Sequence, residues 1–115
     1  MGKVRYSQTS IADLEQIGDY IALTLKNPTA ALNTLDKIQN KIEKLKDSPL
    51  LGTPLSSHIE KETDYRFLIC GNYLVFYRPQ ENNVYIDRVM YSKRDYIAVL
   101  FGNLSQTGDN DSDER

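Results

Sequence analysis

Two amphipathic helices are predicted in the first half of the chain. Apolar residues recur at spacings of three and four in the first helix, and at 4, 3, 4, 3 in the second. The first stripe is Ile11, Leu14, Ile17, Ile21 and Leu25, and the second is Ala31, Leu35, Ile38, Ile42 and Leu45. Ser10 is the expected cap of the first helix, and Asn27, followed by Pro28, that of the second. Because their link is so short, we expect the helices to form an antiparallel hairpin.

The second half of the chain changes to the alternating pattern of β-strands. Residues 65–70, 73–78 and 84–90 are rich in aromatic and β-branched residues, and Gly71-Asn72 suits a two-residue hairpin turn. Residues 3–7 supply one more short strand, residues 48–64 a long loop and residues 94–101 a last helix, which Asp95 caps unless it pairs with Arg94. The expected fold class is α+β, with an antiparallel meander sheet of about four strands packed against the helix hairpin and a short C-terminal helix.

Strand alternation around the Gly71-Asn72 turn assigns residues to the two faces of the sheet. One face is expected to hold the pairs Cys70–Tyr73, Leu68–Val75 and Arg66–Tyr77, and the other Phe67, Ile69, Leu74 and Phe76. Because the second set is wholly apolar, we expect it to pack against the helix hairpin. Arg66 and Tyr77 would then lie on the far side, near residues 91–94. A groove lined by tyrosine and arginine there is a candidate platform for base stacking and phosphate contact, although strand tyrosines also serve simply in packing.

The composition predicts one domain at residues 1–104 and a disordered acidic tail at residues 105–115. The chain has 115 residues, 40% of them hydrophobic and 26% charged, with a net charge of −2. The tail carries four carboxylates and one arginine, so the remainder is nearly neutral, which gives only weak support to a nucleic-acid-binding role. No signal peptide or membrane span is visible in the sequence, and we expect a cytoplasmic protein without a membrane partner.

Several kinds of catalytic site are excluded by what the sequence lacks. It contains no P-loop, no dinucleotide-binding glycine pattern and no G-x-S-x-G elbow. With one cysteine, Cys70, and one histidine, His58, a Cys/His zinc site cannot be assembled, and we expect no metal or cofactor. His58 is expected to be exposed in the loop, and Cys70 to act as a small hydrophobe. The remaining candidate for chemistry is a basic cluster, made up of Arg88, Lys93 and Arg94 with Arg66 and Arg78.

Four segments of the chain resemble a known protein family. They are YRFL at 65–68, GNYLVFYR at 71–78, IDRV at 86–89 and KRDY at 93–96. Together with the order strand, helix hairpin, loop and three-stranded meander, they are similar to the RelE/ParE superfamily of toxins from bacterial type II toxin–antitoxin modules. The resemblance covers residues 3 to about 101.

The resemblance implies a toxin that inhibits growth unless its cognate antitoxin neutralises it. RelE-like members cleave mRNA on the ribosome, whereas ParE-like members poison DNA gyrase, and the residues leave both mechanisms open. The expected partners are therefore the antitoxin and either the ribosome with mRNA or DNA gyrase, with operator DNA contacted only through the antitoxin. The alternative is a catalytically inactive relic that acts only as an antitoxin-binding and autoregulatory module.

Candidate site residues follow from each mechanism. For a nuclease, the resemblance implies Arg66, Lys93 and Arg94 as the catalytic cations, because the transition state needs positive charge. Further candidates for substrate binding are Tyr77, Arg78, Arg88, Tyr91 and Tyr96. Leu74 stands where the best-known nucleases carry arginine, and their late tyrosine or histidine has no match unless Tyr91 or Tyr96 substitutes. For a gyrase inhibitor, the determinants would include the exposed helix faces and the C-terminal segment.

Overall fold

The structure, a computed structural model, describes residues 2–60 and 62–102. The elements run in the order β1 (Lys3–Tyr6), α1 (Gln8–Asp19), a π-helical turn (Tyr20–Thr24), α2 (Pro28–Glu43), β2 (Thr53–Pro54), β3 (Arg66–Cys70), β4 (Tyr73–Gln80), β5 (Asn83–Tyr91) and α3 (Tyr96–Phe101). Short 3₁₀ turns cover Lys44–Lys46 and Leu55–Ser57. The predicted α+β class, with a helix hairpin against a sheet and a short last helix, is confirmed. The acidic tail predicted at 105–115 lies outside the described residues.

Side-chain caps begin both long helices. Asn27 Oδ1 accepts a hydrogen bond from the Ala30 N–H at 3.0 Å, which confirms the predicted cap, and Pro28 takes the first helical position. The first helix begins earlier than predicted, because its cap is Ser7 and not Ser10. Ser7 Oγ accepts from the N–H of Ser10 at 2.9 Å, and the Ser10 hydroxyl donates to the Ser7 carbonyl at 2.8 Å. The buried Ser10 therefore belongs to the first helical turn.

The hairpin tip departs from regular α-helix. Residues 20–24 form a π-helical turn, in which the Leu25 N–H donates to the Tyr20 carbonyl at 3.0 Å, and Lys26 follows with a φ of 56°. Residues 23–29 are all exposed. The predicted stripe of α2 is confirmed, with Leu35 half-buried and its other members buried, but the stripe of α1 leaves Ile11 and Leu25 exposed. No helix of the described chain is long and apolar enough to span a membrane.

A mixed sheet of five strands, counted over residues 2–60 and 62–102, has the order β1-β5-β4-β3-β2. The meander of β3, β4 and β5 is antiparallel, and its predicted boundaries are correct to within two residues. Cys70 lies opposite Tyr73 across the Gly71-Asn72 turn, which confirms the predicted register. Gly71 has the left-handed φ of 57° that such a turn favours. Two features were not predicted, namely that β1 pairs parallel to β5 and that the short β2 forms inside the long loop.

The prediction of which sheet face packs against the helices is wrong. Ile38 and Ile42 of α2 belong to one core with Leu68 and Val75, on the face that was expected to point away. The opposite face, around the fully buried Phe76, is covered by α3 and by the segment 55–59. Alternation could not separate the two faces, because both carry apolar side chains along β3 and β4. The face that carries Phe67 and Phe76 is covered by α3.

Tyr77 is a core residue and does not lie in an exposed groove as predicted. Its side chain is fully buried among the residues that the helices cover. Its hydroxyl accepts a hydrogen bond from the Gly52 N–H at 2.8 Å and donates to the Pro49 carbonyl at 2.8 Å. Burial raises the pKa of Tyr77, so the phenol stays protonated and keeps both bonds at neutral pH. Tyr77 therefore holds the segment 49–52 against the sheet.

We expect Tyr77→Phe to lower the free energy of unfolding by about 1 to 3 kcal/mol, because the buried Gly52 N–H and the Pro49 carbonyl lose their partner. Urea unfolding followed by circular dichroism measures the change. The control is Tyr91→Phe, whose side chain is half exposed and whose hydroxyl can be replaced by water. Equal stability of the two variants would contradict this role of Tyr77.

Candidate functional site

A cleft of about 580 Å³ opens between the helix hairpin and the end of the meander. Its aromatic wall is made by Tyr20 of the π-helical turn, Tyr73 at the start of β4 and Tyr91 at the end of β5. The other lining residues are Asp13, Gln16, Ile17, Leu25, Asn72, Val89, Met90 and Arg94. A cavity of this size, mostly apolar and with a few polar groups, is typical of a binding site.

A partly buried ion pair between α1 and β5 lies at the floor of the cleft. Arg88 donates two hydrogen bonds to the Asp13 carboxylate, from Nε at 2.8 Å and from Nη2 at 2.9 Å. The same carboxylate accepts the backbone N–H of Val89 at 2.9 Å. The hydrogen bond to Asp13 raises the pKa of Arg88, so the guanidinium remains charged. Asp13 is thus satisfied by three donors, and its charge is compensated inside the protein.

The tyrosines of the cleft form an aromatic wall that also carries phenol hydroxyls. The rings of Tyr73 and Tyr91 meet edge to face, with centroids 6.0 Å apart and an interplanar angle of 67°. Burial raises the pKa of Tyr73, and the neighbouring hydroxyls of Tyr91 and Tyr20 add to the effect. Tyr20 and Tyr91 are themselves exposed at the rim. The wall therefore offers ring surface together with phenol hydroxyls that can donate or accept.

Arg94 brings a positive charge to the mouth of this cleft. It follows β5 in a turn that is fixed by two backbone hydrogen bonds, from the Arg94 N–H to the Tyr91 carbonyl at 3.0 Å and from the Ser92 N–H to the Asn72 carbonyl at 2.7 Å. The side chains of Arg94 and its neighbour Lys93 are exposed, and neither has an ion-pair partner in the part of the chain that the structure describes. The cleft thus has an uncompensated cation at its rim.

Arg66 lies at the other end of the sheet from Arg94. It is paired with Tyr77, whereas the cleft end of the sheet is marked by the pair Tyr73 and Tyr91. Four residues of strand separate the two ends, which corresponds to about 13 Å. The Arg66 guanidinium donates to the carbonyls of Gly52 and Leu50, each at 3.2 Å. Of the three predicted catalytic cations, only Lys93 and Arg94 are therefore close together.

The remaining sequence-predicted arginines are already engaged. Arg88 forms the ion pair with Asp13, so it does not belong to an exposed basic cluster. Arg78 Nε lies 3.2 Å from Asp87 Oδ2, and its guanidinium lies 5.6 Å from the centre of the Tyr65 ring. Burial, followed by the hydrogen bond to Asp87, raises the pKa of Tyr65 to about 12. Asp87 is therefore occupied by Arg78.

Three other candidates lie outside the cleft. Tyr96 of α3 packs on Phe76, with ring centroids 5.3 Å apart. His58 is exposed, as expected, with Nδ1 2.9 Å from Ser57 Oγ. Cys70 is a buried free thiol whose pKa burial raises, which fits the role of a small hydrophobe. No cluster of three His, Cys, Asp or Glu side chains suited to a metal ion occurs among residues 2–60 and 62–102.

Sequence reasoning missed most of the cleft. Asp13 carried a signal, because it sits beside Leu14 within the apolar stripe of α1, where a carboxylate must find a partner. Tyr20 follows Gln16 and Ile17 at spacings of four and three, so it shares their helix face and lines the cleft with them. Tyr73 was assigned to the sheet face of Arg66 and Tyr77 but was not among the predicted binding residues. Of the predicted binding residues, Tyr91 lines the cleft, and of the predicted cations, Arg94 does.

We expect Asp13→Ala to lower the free energy of unfolding by about 3 to 5 kcal/mol, because Arg88 becomes a partly buried charge without its partner. Asp13→Asn should cost less, since the amide oxygen can still accept from Val89. Urea unfolding midpoints measure both changes. The control is Glu43→Gln, which removes the exposed Glu43–Lys46 pair and should cost less than about 1 kcal/mol. If Asp13→Ala cost no more than this control, the Asp13–Arg88 ion pair would not be needed for the stability of the fold.

Known proteins resemble this chain in sequence and in fold. The sequence model of the family described as "ParE toxin of type II toxin-antitoxin system, parDE" matches residues 4–96. No curated protein matches the chain. Among solved structures, a chain of the "Chromosomal ParDE TA system from P. aeruginosa" is similar, with a TM-score of 0.64 and 21% sequence identity. The match covers 81% of this chain and 98% of that one, and at this identity it shows a shared fold.

Proposed function

Because the chain belongs to the ParE toxin family of type II toxin–antitoxin systems, we propose that it arrests growth by inhibiting DNA gyrase unless its cognate antitoxin is bound. Family membership supplies the toxin class, and the sequence resemblance already included gyrase poisoning among the expected activities. The choice of gyrase over the ribosome is supported by the arrangement of the cationic side chains.

The separation of Arg66 from Arg94 is the observation that carries this choice. A ribonuclease must place cations around a single phosphate to stabilise the charge of the transition state. Arg66 is instead bound to two loop carbonyls at one end of the sheet, whereas Lys93 and Arg94 lie at the other end. Arg78 and Arg88 are paired with Asp87 and Asp13. Of the five predicted cations, only the adjacent Lys93 and Arg94 are left for a common phosphate, which favours binding over cleavage.

The surroundings of Leu74 support the same choice. Leu74 occupies the position at which the resembling nucleases carry arginine, and it packs in the apolar cluster beneath α3. Tyr96 lies in the same cluster, with its ring against Phe76. A residue that accepts or delivers a proton must reach the substrate. Apolar packing at this face leaves it poorly suited to bind a charged RNA backbone.

The proposed partner that silences the toxin is a cognate antitoxin. The similar solved structure comes from a ParDE toxin–antitoxin system, and the shared fold extends over most of this chain. An antitoxin that orders as it binds can cover a large apolar surface, which suits tight but reversible neutralisation. Operator DNA would then be contacted through the antitoxin, since the toxin domain itself is nearly neutral.

We expect the purified protein to inhibit gyrase-catalysed supercoiling of relaxed plasmid DNA and to leave mRNA intact in a cell-free translation reaction. Gel electrophoresis of plasmid topoisomers measures the first effect, and primer extension along the mRNA detects any cleavage. Relaxation of supercoiled plasmid by topoisomerase I, a different enzyme, is the control for nonspecific DNA binding.

Discrete ribosome-dependent cuts in the mRNA, with normal supercoiling, would contradict the gyrase proposal and favour the RelE-like mechanism. Normal supercoiling, intact mRNA and no growth arrest on induction without antitoxin would instead favour the catalytically inactive relic.

A further inference from the structure

We propose that the aromatic cleft between the hairpin tip and the end of the meander is the docking site for the toxin's target protein. It would receive an aliphatic side chain of the target, flanked by a carboxylate that pairs with Arg94. This inference rests on the proposed function, because it assumes that the chain acts on a protein target. It adds the location of the contact and the chemistry of the partner.

Exposed apolar side chains mark the rim of the cleft. Tyr20 is 54% exposed, Leu25 56% and Tyr91 48%, and all three line the same cavity. Leu23, in the same π-helical turn as Tyr20, is 71% exposed. Large apolar residues that are exposed singly need no explanation, but a group around one cavity is typical of a protein-binding surface. Ring faces and leucine side chains of this kind suit an aliphatic anchor.

The charges of the cleft select an anionic partner. Asp13 lies at the floor, but its carboxylate is already paired with Arg88, so it does not attract a cation from outside. Arg94 lies at the mouth without an ion-pair partner among the described residues, and Lys93 is exposed beside it. A guanidinium next to an apolar wall binds a carboxylate better than one in open water, because the pair is partly shielded.

The backbone of the tip is irregular at the residues that shape the cleft. The π-helical turn at residues 20–24 begins at Tyr20 and is followed by Leu25, both of which line the cavity, and Lys26 adopts a left-handed φ of 56°. Such turns are rare because they cost stability. Where they do occur, they are often found at functional sites. Ile21 of this turn is buried, whereas residues 23–29 are all exposed.

This exposure is also the reason to assign the cleft to the target and not to the antitoxin. An antitoxin that orders on binding can adapt to any apolar face of a small domain. A folded target cannot adapt in this way, so it is reached most directly through a part of the toxin that is fully exposed. The tip of the hairpin is such a part, with seven consecutive exposed residues beside the cleft.

Two single substitutions test the proposal, Leu25→Ser for the apolar rim and Arg94→Glu for the cation. We expect each to raise the toxin concentration needed for half-maximal inhibition of gyrase supercoiling about tenfold or more, and to weaken growth arrest on induction. The conservative variant Arg94→Lys should retain most of the inhibition. The matched control is Leu32→Ser, which changes another exposed leucine of the hairpin, 66% exposed on α2 and outside the cleft. Thermal unfolding by circular dichroism verifies that each variant is folded.

Inhibition by folded Leu25→Ser and Arg94→Glu that equals the inhibition by the wild type would overturn the proposal. It would also be overturned if both variants stayed toxic but escaped neutralisation by a co-expressed antitoxin, because the cleft would then bind the antitoxin. A wild-type dimer in size-exclusion chromatography that both variants turn into a fully toxic monomer would assign the cleft to a second copy of the chain.

Failure of the proposed function gives a different result. If the wild-type protein arrests growth but leaves gyrase unaffected, gyrase is not the target. Growth arrest then decides the role of the cleft. Loss of arrest in Leu25→Ser and Arg94→Glu, with Leu32→Ser unchanged, would support docking of another target protein, and equal arrest in all variants would overturn it.

Discussion

The carboxylate of Asp13 completes an otherwise open sheet edge, and the rest of the domain depends on it. β1 ends at Tyr6, so beyond Ile86 the strand β5 has no neighbouring strand on that side within the described chain. Along this edge the Ser7 hydroxyl donates a hydrogen bond to the Asp87 carbonyl, and the Asp13 carboxylate accepts one from the Val89 N–H. A buried backbone N–H must be paired, and a strand edge left open invites association. Residues at and within helix α1 thus provide hydrogen-bond partners for the part of β5 that β1 does not reach.

This arrangement also decides what the surface can do. Arg88 supplies the positive charge that the buried Asp13 requires. The pair therefore takes one arginine from the exposed surface and compensates the negative charge of Asp13 at the cleft. Arg66 and Arg78 are likewise held by loop carbonyls and by Asp87. Arg94 with Lys93 therefore stands out beside the aromatic wall. This surface is the basis of the proposal that the toxin acts by binding a protein target.

The two faces of the sheet illustrate how much of the fold the sequence pattern predicts. The hairpin register around Gly71-Asn72 follows from local turn geometry, and it was predicted correctly. The choice of face was not, because Leu68 and Val75 are as apolar as Leu74 and Phe76 when each strand is considered alone. What decides it is a distant element, since α3 with Tyr96 covers the aromatic face and leaves the other to Ile38 and Ile42.

Spacing and turn residues close together in the chain were enough to predict the helix hairpin, the antiparallel meander, the Asn27 cap and the resemblance to a toxin superfamily. Contacts between distant elements, in contrast, determine which predicted arginines are paired, bury Tyr77 and bring Tyr20, Tyr91 and Arg94 to one cleft. Partners such as Asp13 and Arg88 are separated by most of the chain, and no local pattern encodes their meeting. Packing brings them together, and with them the candidate site.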